Sequence, residues 1–121
     1  MPPLPTVAIV EDDASARAAL AGLVNALGCG TRDFPDPIAF LSSRAPREVH
    51  GLIADLRLPG MSGLALHERL RRDGLVLPTV ILTAYPDAET RRHALEAGVA
   101  DFLAKPVDPE RLHLFLNALR P

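Results

Sequence analysis

Val7-Ala8-Ile9-Val10-Glu11-Asp12-Asp13 is an unbroken apolar run closed by three acids. Apolar residues in succession, without polar alternation, make a strand buried on both faces, and such strands belong to a parallel sheet with helices on each side. The pattern recurs further along: Leu52-Ile53-Ala54 stops at Asp55, Thr79-Val80-Ile81-Leu82 stops at Thr83, and Phe102-Leu103-Ala104 stops before Lys105. A less defined strand near Thr31 to Phe34 follows Gly28 and Gly30. Between the strands lie helical stretches. Leu20, Leu23, Val24 and Leu27 recur at helical spacing on one face. Asp36-Pro37 reads as a cap with proline at the first helical position, and Ile38, Phe40 and Leu41 are its expected apolar contacts. Leu64, His67, Leu70 and Arg71 mark a helix after the loop from Arg57 to Gly63. Pro86-Asp87 opens a helix that stops at Gly98, and Asp108-Pro109-Glu110 caps a last one carrying Leu112, Phe115, Leu116 and Leu119. The order predicts an α/β fold, a (βα)5 doubly wound sheet of parallel strands.

Composition narrows the class. At 121 residues, one hydrophobic core is expected, and 48% apolar with 23% charged residues matches a globular chain. The formal charge of −2 gives no electrostatic reason for this domain to grip nucleic acid or an anionic membrane. A single cysteine, Cys29, rules out an intrachain disulfide and a cysteine-rich zinc site. No apolar run approaches the length of a membrane span, and the N-terminus lacks the pattern of a secretory signal, so a cytoplasmic domain is expected. His50, His67, His93 and His113 lie without metal-ligand spacing and read as surface or helix-face residues. GxGxxG, GxxxxGK[ST] and GxSxG are absent, which disfavours dinucleotide, ATP and serine-hydrolase sites.

Ligands of parallel open sheets bind beyond the carboxyl ends of the strands. There the sequence places Glu11, Asp12 and Asp13, then Asp55, then Thr83, then Lys105. Each alone reads as a cap, a solvated turn or a surface charge. Their joint placement on one rim points to chemistry. Clustered carboxylates repel unless a cation sits among them, and hard oxygen donors suit Mg2+. A carboxylate with an ammonium, a hydroxyl and a divalent cation around it is a receptor for a phosphoryl group.

Over almost its whole length the chain resembles the receiver domain of two-component response regulators. The matching stretches are Val7 to Asp13, Asp55-Leu56-Arg57-Leu58-Pro59-Gly60-Met61-Ser62-Gly63, Leu82-Thr83-Ala84 and Gly98-Val99-Ala100-Asp101-Phe102-Leu103-Ala104-Lys105-Pro106. The resemblance implies a flavodoxin-like receiver fold over residues 1–121, with any C-terminal effector domain outside this chain. It implies that Asp55 accepts a phosphoryl group from a sensor histidine kinase. It also implies that Asp12, Asp55 and the Arg57 backbone carbonyl bind Mg2+, with Glu11 reaching the ion through water. Thr83 and Lys105 would contact phosphoryl oxygens, and Phe102 is the switch aromatic. The Lys105-Pro106 bond matches one that is cis in the family. Glu11 replaces the commoner aspartate and Phe102 the frequent tyrosine. The run Asp-Leu-Arg-Leu-Pro is most similar to the FixJ/NarL-type branch, whose DNA-binding module follows C-terminally.

The implied function is a phosphorylation-activated switch. It would change the face of the fourth helix, fifth strand and fifth helix, including Arg91, His93, Asp101 and Arg111, toward an effector domain, a target protein or a second copy of itself. The implied output is transcriptional; the alternatives are a single-domain regulator and an interaction module that works without phosphorylation. The chain is not expected to be an enzyme with a diffusible product, since a Mg2+-dependent phosphohydrolase would need an acid or base two residues after Asp55, where Arg57 sits. Arg57 and Tyr85 are both large and expected to shield the phosphoryl group.

Overall fold

A computed structural model describes residues 4–121. Its elements are β1 Thr6–Val10, α1 Ala14–Ala26, β2 Gly30–Phe34, α2 Pro37–Ser42, α3 Ala45–Glu48, β3 Gly51–Asp55, α4 Gly63–Arg72, β4 Thr79–Thr83, α5 Ala88–Glu96, β5 Asp101–Ala104 and α6 Pro109–Asn117. The strands pair in parallel in the order β2-β1-β3-β4-β5. Successive strand residues point to opposite faces, and the apolar runs fill both. Ala8, Val10, Leu52, Ala54, Ile81 and Phe102 face the layer that holds Leu66 and Leu70 of α4 and Ala94 of α5. Val7, Ile9, Ile53, Val80, Leu82 and Leu103 face the layer that holds Val24 of α1 and Leu112, Phe115 and Leu116 of α6. Two-sided burial explains why the strands carry no polar alternation.

Acidic and hydroxyl side chains start the helices. Asp13, Asp36, Ser62, Asp87 and Asp108 each accept from backbone N–H groups at the N-termini of α1, α2, α4, α5 and α6. Between α2 and β3 lies one more turn than the sequence predicts, α3, with proline in its first turn. Its four residues offer no apolar repeat by which to detect it. The fourth and fifth helices of the sequence reading are therefore α5 and α6.

One packing expectation needs correction. Ile38 is 67% exposed, because the short α2 turns Pro37 and Phe40 inward and Ile38 away from the sheet. On α1 only Val24 is buried, while Leu20, Leu23 and Leu27 are half-buried. The edge of that stripe opens on a cleft of about 390 Å³ lined by Ala16, Ala19, Leu20, Leu23 and Val107. Among the described residues no helix is long and apolar enough to cross a membrane.

Candidate functional site

The chain leaves β1 toward β2 on one side and reaches β3 on the other, so the switch point of the sheet lies between β1 and β3. The crevice beyond their carboxyl ends is where this topology binds ligands. β1 delivers Glu11 and Asp12 to it, and β3 delivers Asp55. The Glu11 amide donates to the Phe34 carbonyl at 3.1 Å, so the ladder holds Glu11 as well. Glu11 is buried, at 4% exposure, whereas Asp12 is exposed and Asp55 half-buried. One carboxylate oxygen from each of Glu11, Asp12 and Asp55 falls within 4.8 Å of the others. Asp13 stands apart from this group: its carboxylate caps α1, accepting from the Ser15 and Ala16 amides at 2.8 and 3.1 Å.

Lys105 answers the acids from β5. Its amide donates to the Thr83 carbonyl at 2.8 Å, which ties its backbone to the end of β4. Its ammonium donates to Asp55 Oδ2 at 3.0 Å and lies 3.5 Å from Glu11 Oε1. Burial alone would lower the Lys105 pKa, but hydrogen bonds and attraction from Asp55 and Glu11 outweigh it and raise it. Burial, reinforced by Asp55 beside it, pushes the Glu11 carboxyl up to about 7 against the opposing pull of Lys105. The peptide bond from Lys105 to Pro106 is cis.

Thr83 is buried, and its hydroxyl oxygen accepts from the Tyr85 amide at 3.1 Å. The hydroxyl proton therefore remains free to donate to an incoming oxygen. The Arg57 amide lies 3.5 Å from Asp55 Oδ1. The Arg57 guanidinium stands 5.7 Å from the centre of the Tyr85 ring, within cation–π range, and the tyrosine is 73% exposed. The two large residues meet each other, as one arch made by the loops after β3 and β4.

Phe102 is already packed inside, with its carbonyl accepting from Arg91 at 2.6 Å. The ring expected to be the switch aromatic thus lies inward in this conformation. Its amide donates to Asp101, whose carboxylate takes both short bonds from Arg111 at 2.7 Å. His93 lies 3.9 Å from Glu68. Cys29 is buried, and burial raises its thiol pKa, which suits packing rather than reactivity.

Three residues have roles that the sequence did not disclose, and one of them, His67, expected as a surface or helix-face residue, is buried. Gly63 packs so tightly that a Cβ there would run into the Asp55 carbonyl oxygen. Arg17 donates from its guanidinium to the Glu11 carbonyl at 2.7 Å. His67 is buried, with Nδ1 3.2 Å from Thr79 Oγ1 and Nε2 3.1 Å from the Ala97 carbonyl, tying α4 to β4 and the end of α5. Gly63 ends the Asp55–Gly63 stretch that carries the family resemblance, whereas the partners of Arg17 and His67 follow no sequence spacing.

Chemically, the rim offers carboxylate oxygens without nitrogen or sulfur donors, a set that fits a hard cation of the Mg2+ type. Beside it stand a carboxylate flanked by an ammonium and a hydroxyl with a proton to give.

A family model described as the response regulator receiver domain matches residues 7–117. The chain is 39% identical over 110 residues to the cyclic di-GMP phosphodiesterase response regulator RpfG of Xanthomonas campestris, covering 88% of this chain and 29% of that protein. It is 31% identical over 110 residues to the transcriptional regulatory protein FixJ of Bradyrhizobium diazoefficiens, covering 91% of this chain and 54% of that one. This chain thus spans about half the length of FixJ and less of RpfG. Among solved structures it superposes on the response regulator StyR with a TM-score of 0.83 at 36% identity, over 95% of this chain and 58% of that one. A response regulator receiver protein from Pseudoalteromonas atlantica gives 0.84 at 28% identity, over 93% and 94%.

Proposed function

This chain belongs to the response regulator receiver domain family, and from that premise we propose that it is a phosphorylation-activated switch of a two-component system, with Asp55 as the phosphoryl acceptor. The observation that carries the reading is the Lys105 ammonium 3.0 Å from Asp55 Oδ2, on the rim where Glu11 and Asp12 also converge. An Asp55 oxygen bonds phosphorus while the bond from phosphorus to the imidazole of a sensor histidine kinase breaks. Lys105 moves from the carboxylate to a phosphoryl oxygen, and the free Thr83 proton turns to another. Asp12, Asp55 and the Arg57 carbonyl would hold Mg2+, with Glu11 reaching it through water. The ion, when bound, neutralises charge on the transferring group.

Residues 1–121 act as the receiver unit, in the cytoplasm, without touching nucleic acid or membrane directly. New bonds at Thr83 favour one of two conformations of the α5-β5-α6 face, a population shift driven by differential contacts. Arg91, Phe102, Asp101 and Arg111 lie on that route, since they form one bonded chain from α5 to α6. The face is read by an effector domain, a target protein or a second copy. Relatives named as transcriptional regulators, FixJ among them, support a transcriptional output. The chain releases no product of its own.

The test is incubation with Mg2+ and acetyl phosphate followed by intact mass. A gain of one phosphoryl group that Asp55→Asn abolishes is expected. A chain that stays unmodified with Mg2+ and donor in excess instead has the behaviour of a module that works by binding alone.

A further inference from the structure

The three acids after β1 sit in a turn that is bound at both ends by one residue of α1. The Arg17 amide donates to the Asp13 carbonyl at 2.9 Å, and the Arg17 guanidinium reaches back to donate to the Glu11 carbonyl at 2.7 Å. On the other side of Glu11, its amide is already committed to Phe34 at 3.1 Å. Glu11 is therefore held through both its amide and its carbonyl. That carbonyl belongs to the peptide unit leading into Asp12, and peptide units are rigid planes. Fixing its oxygen fixes the direction in which Asp12 leaves the strand. Asp12 needs this help: its side chain is exposed, whereas Glu11 is held by burial and Asp55 by Lys105.

We propose that Arg17 is a positioning residue for metal binding, orienting Asp12 toward Asp55 through the Glu11 carbonyl. The inference rests on reading Asp12 and Asp55 as the carboxylate ligands of Mg2+. Groups that orient ligands commonly change metal affinity by about 10–100-fold when removed. The sign of the effect separates positioning from mere charge. A guanidinium beside the site repels a dication, so if Arg17 acted only as a charge its removal would tighten Mg2+ binding. As a positioning residue, its removal loosens binding.

The experiment is a titration of the full chain with MgCl2, followed by isothermal calorimetry and by the amide NMR shifts of Asp12 and Asp55. Wild type is compared with Arg17→Met, Arg17→Lys and Asp12→Ala. Thermal unfolding checks that each variant is folded. Arg17→Met is expected to weaken Mg2+ binding about tenfold, and Arg17→Lys, which keeps the charge but not the fork, to weaken it less. Phosphorylation by acetyl phosphate in Arg17→Met is expected to recover at saturating Mg2+, which a general structural defect would not do. Unchanged or tighter Mg2+ binding in Arg17→Met overturns the proposal. If Arg17→Met does not fold, Arg17→Lys decides, and wild-type affinity in that variant overturns it. Failure of the underlying ligand reading looks different: wild type would bind Mg2+ no better than Asp12→Ala.

Discussion

Glu11 offers a sharp perturbation because it is a buried carboxyl next to another. Its ordinary pKa of 4.5 rises to about 7 in the folded chain, through burial first and the neighbouring Asp55 second. Between those values the folded state keeps a proton that the unfolded chain has released. Stability contributed by this group is therefore present at low pH and lost as pH rises toward and through about 7. Integrated from about pH 5.5 to about pH 8, the loss is about 2 kcal/mol. Glu11→Gln has nearly the same shape and stays neutral throughout, so it lacks this part of the pH dependence. Urea unfolding of both proteins in a chelator, read by circular dichroism at the two pH values, measures the difference directly. Wild type is expected to lose about 2 kcal/mol more than the variant on going to the higher pH. Parallel losses, within about 0.5 kcal/mol, would refute the idea that Glu11 is held protonated by its surroundings.

Asp12→Ala is expected to weaken Mg2+ binding at least tenfold by calorimetry while leaving the metal-free domain equally or more stable to heat, since it removes one of three crowded carboxylates. Opening the Arg57–Tyr85 arch, by Tyr85→Ala or Arg57→Asn, is expected to speed decay of the phosphorylated form after the donor is removed, followed by intact mass; unchanged or slower decay in both variants counts against shielding. Gly63→Ala drives a methyl group into the Asp55 carbonyl and is expected to cost about 1–3 kcal/mol in thermal or urea unfolding, with slower phosphorylation in the fraction that folds.

The central strands were legible because burial on both faces leaves a continuous apolar run, as in Val7 to Val10 and Thr79 to Thr83. β2 was faint for the converse reason: it is an edge strand, and Arg32 and Asp33 interrupt its apolar residues. Convergence of Glu11, Asp12, Asp55 and Lys105 was also legible, since strand ends in a parallel sheet share one rim and each residue ends its run. What stayed hidden depends on side chains crossing between elements. Arg17 to Glu11, Arg91 to Phe102 and Arg111 to Asp101 join residues whose nearness comes from folding, and an arginine on a helix reads from sequence only as a solvated charge. His67 belongs with them: it sits on the expected helix, but its burial against Thr79 and Ala97 is set by the tertiary packing of α4 on β4. Asp13 was legible as an acid, yet its role as a cap follows only from where α1 starts.

The most direct test of the switch is to locate the phosphoryl group. Borohydride reduces an aspartyl phosphate to homoserine, marking the acceptor permanently in the chain. After treatment with Mg2+ and acetyl phosphate, peptide mass mapping is expected to find homoserine at position 55 and unaltered aspartate at positions 12 and 13. Homoserine at 12 or 13 with position 55 unaltered, or no conversion at any carboxylate, would contradict the assignment of Asp55 as the acceptor.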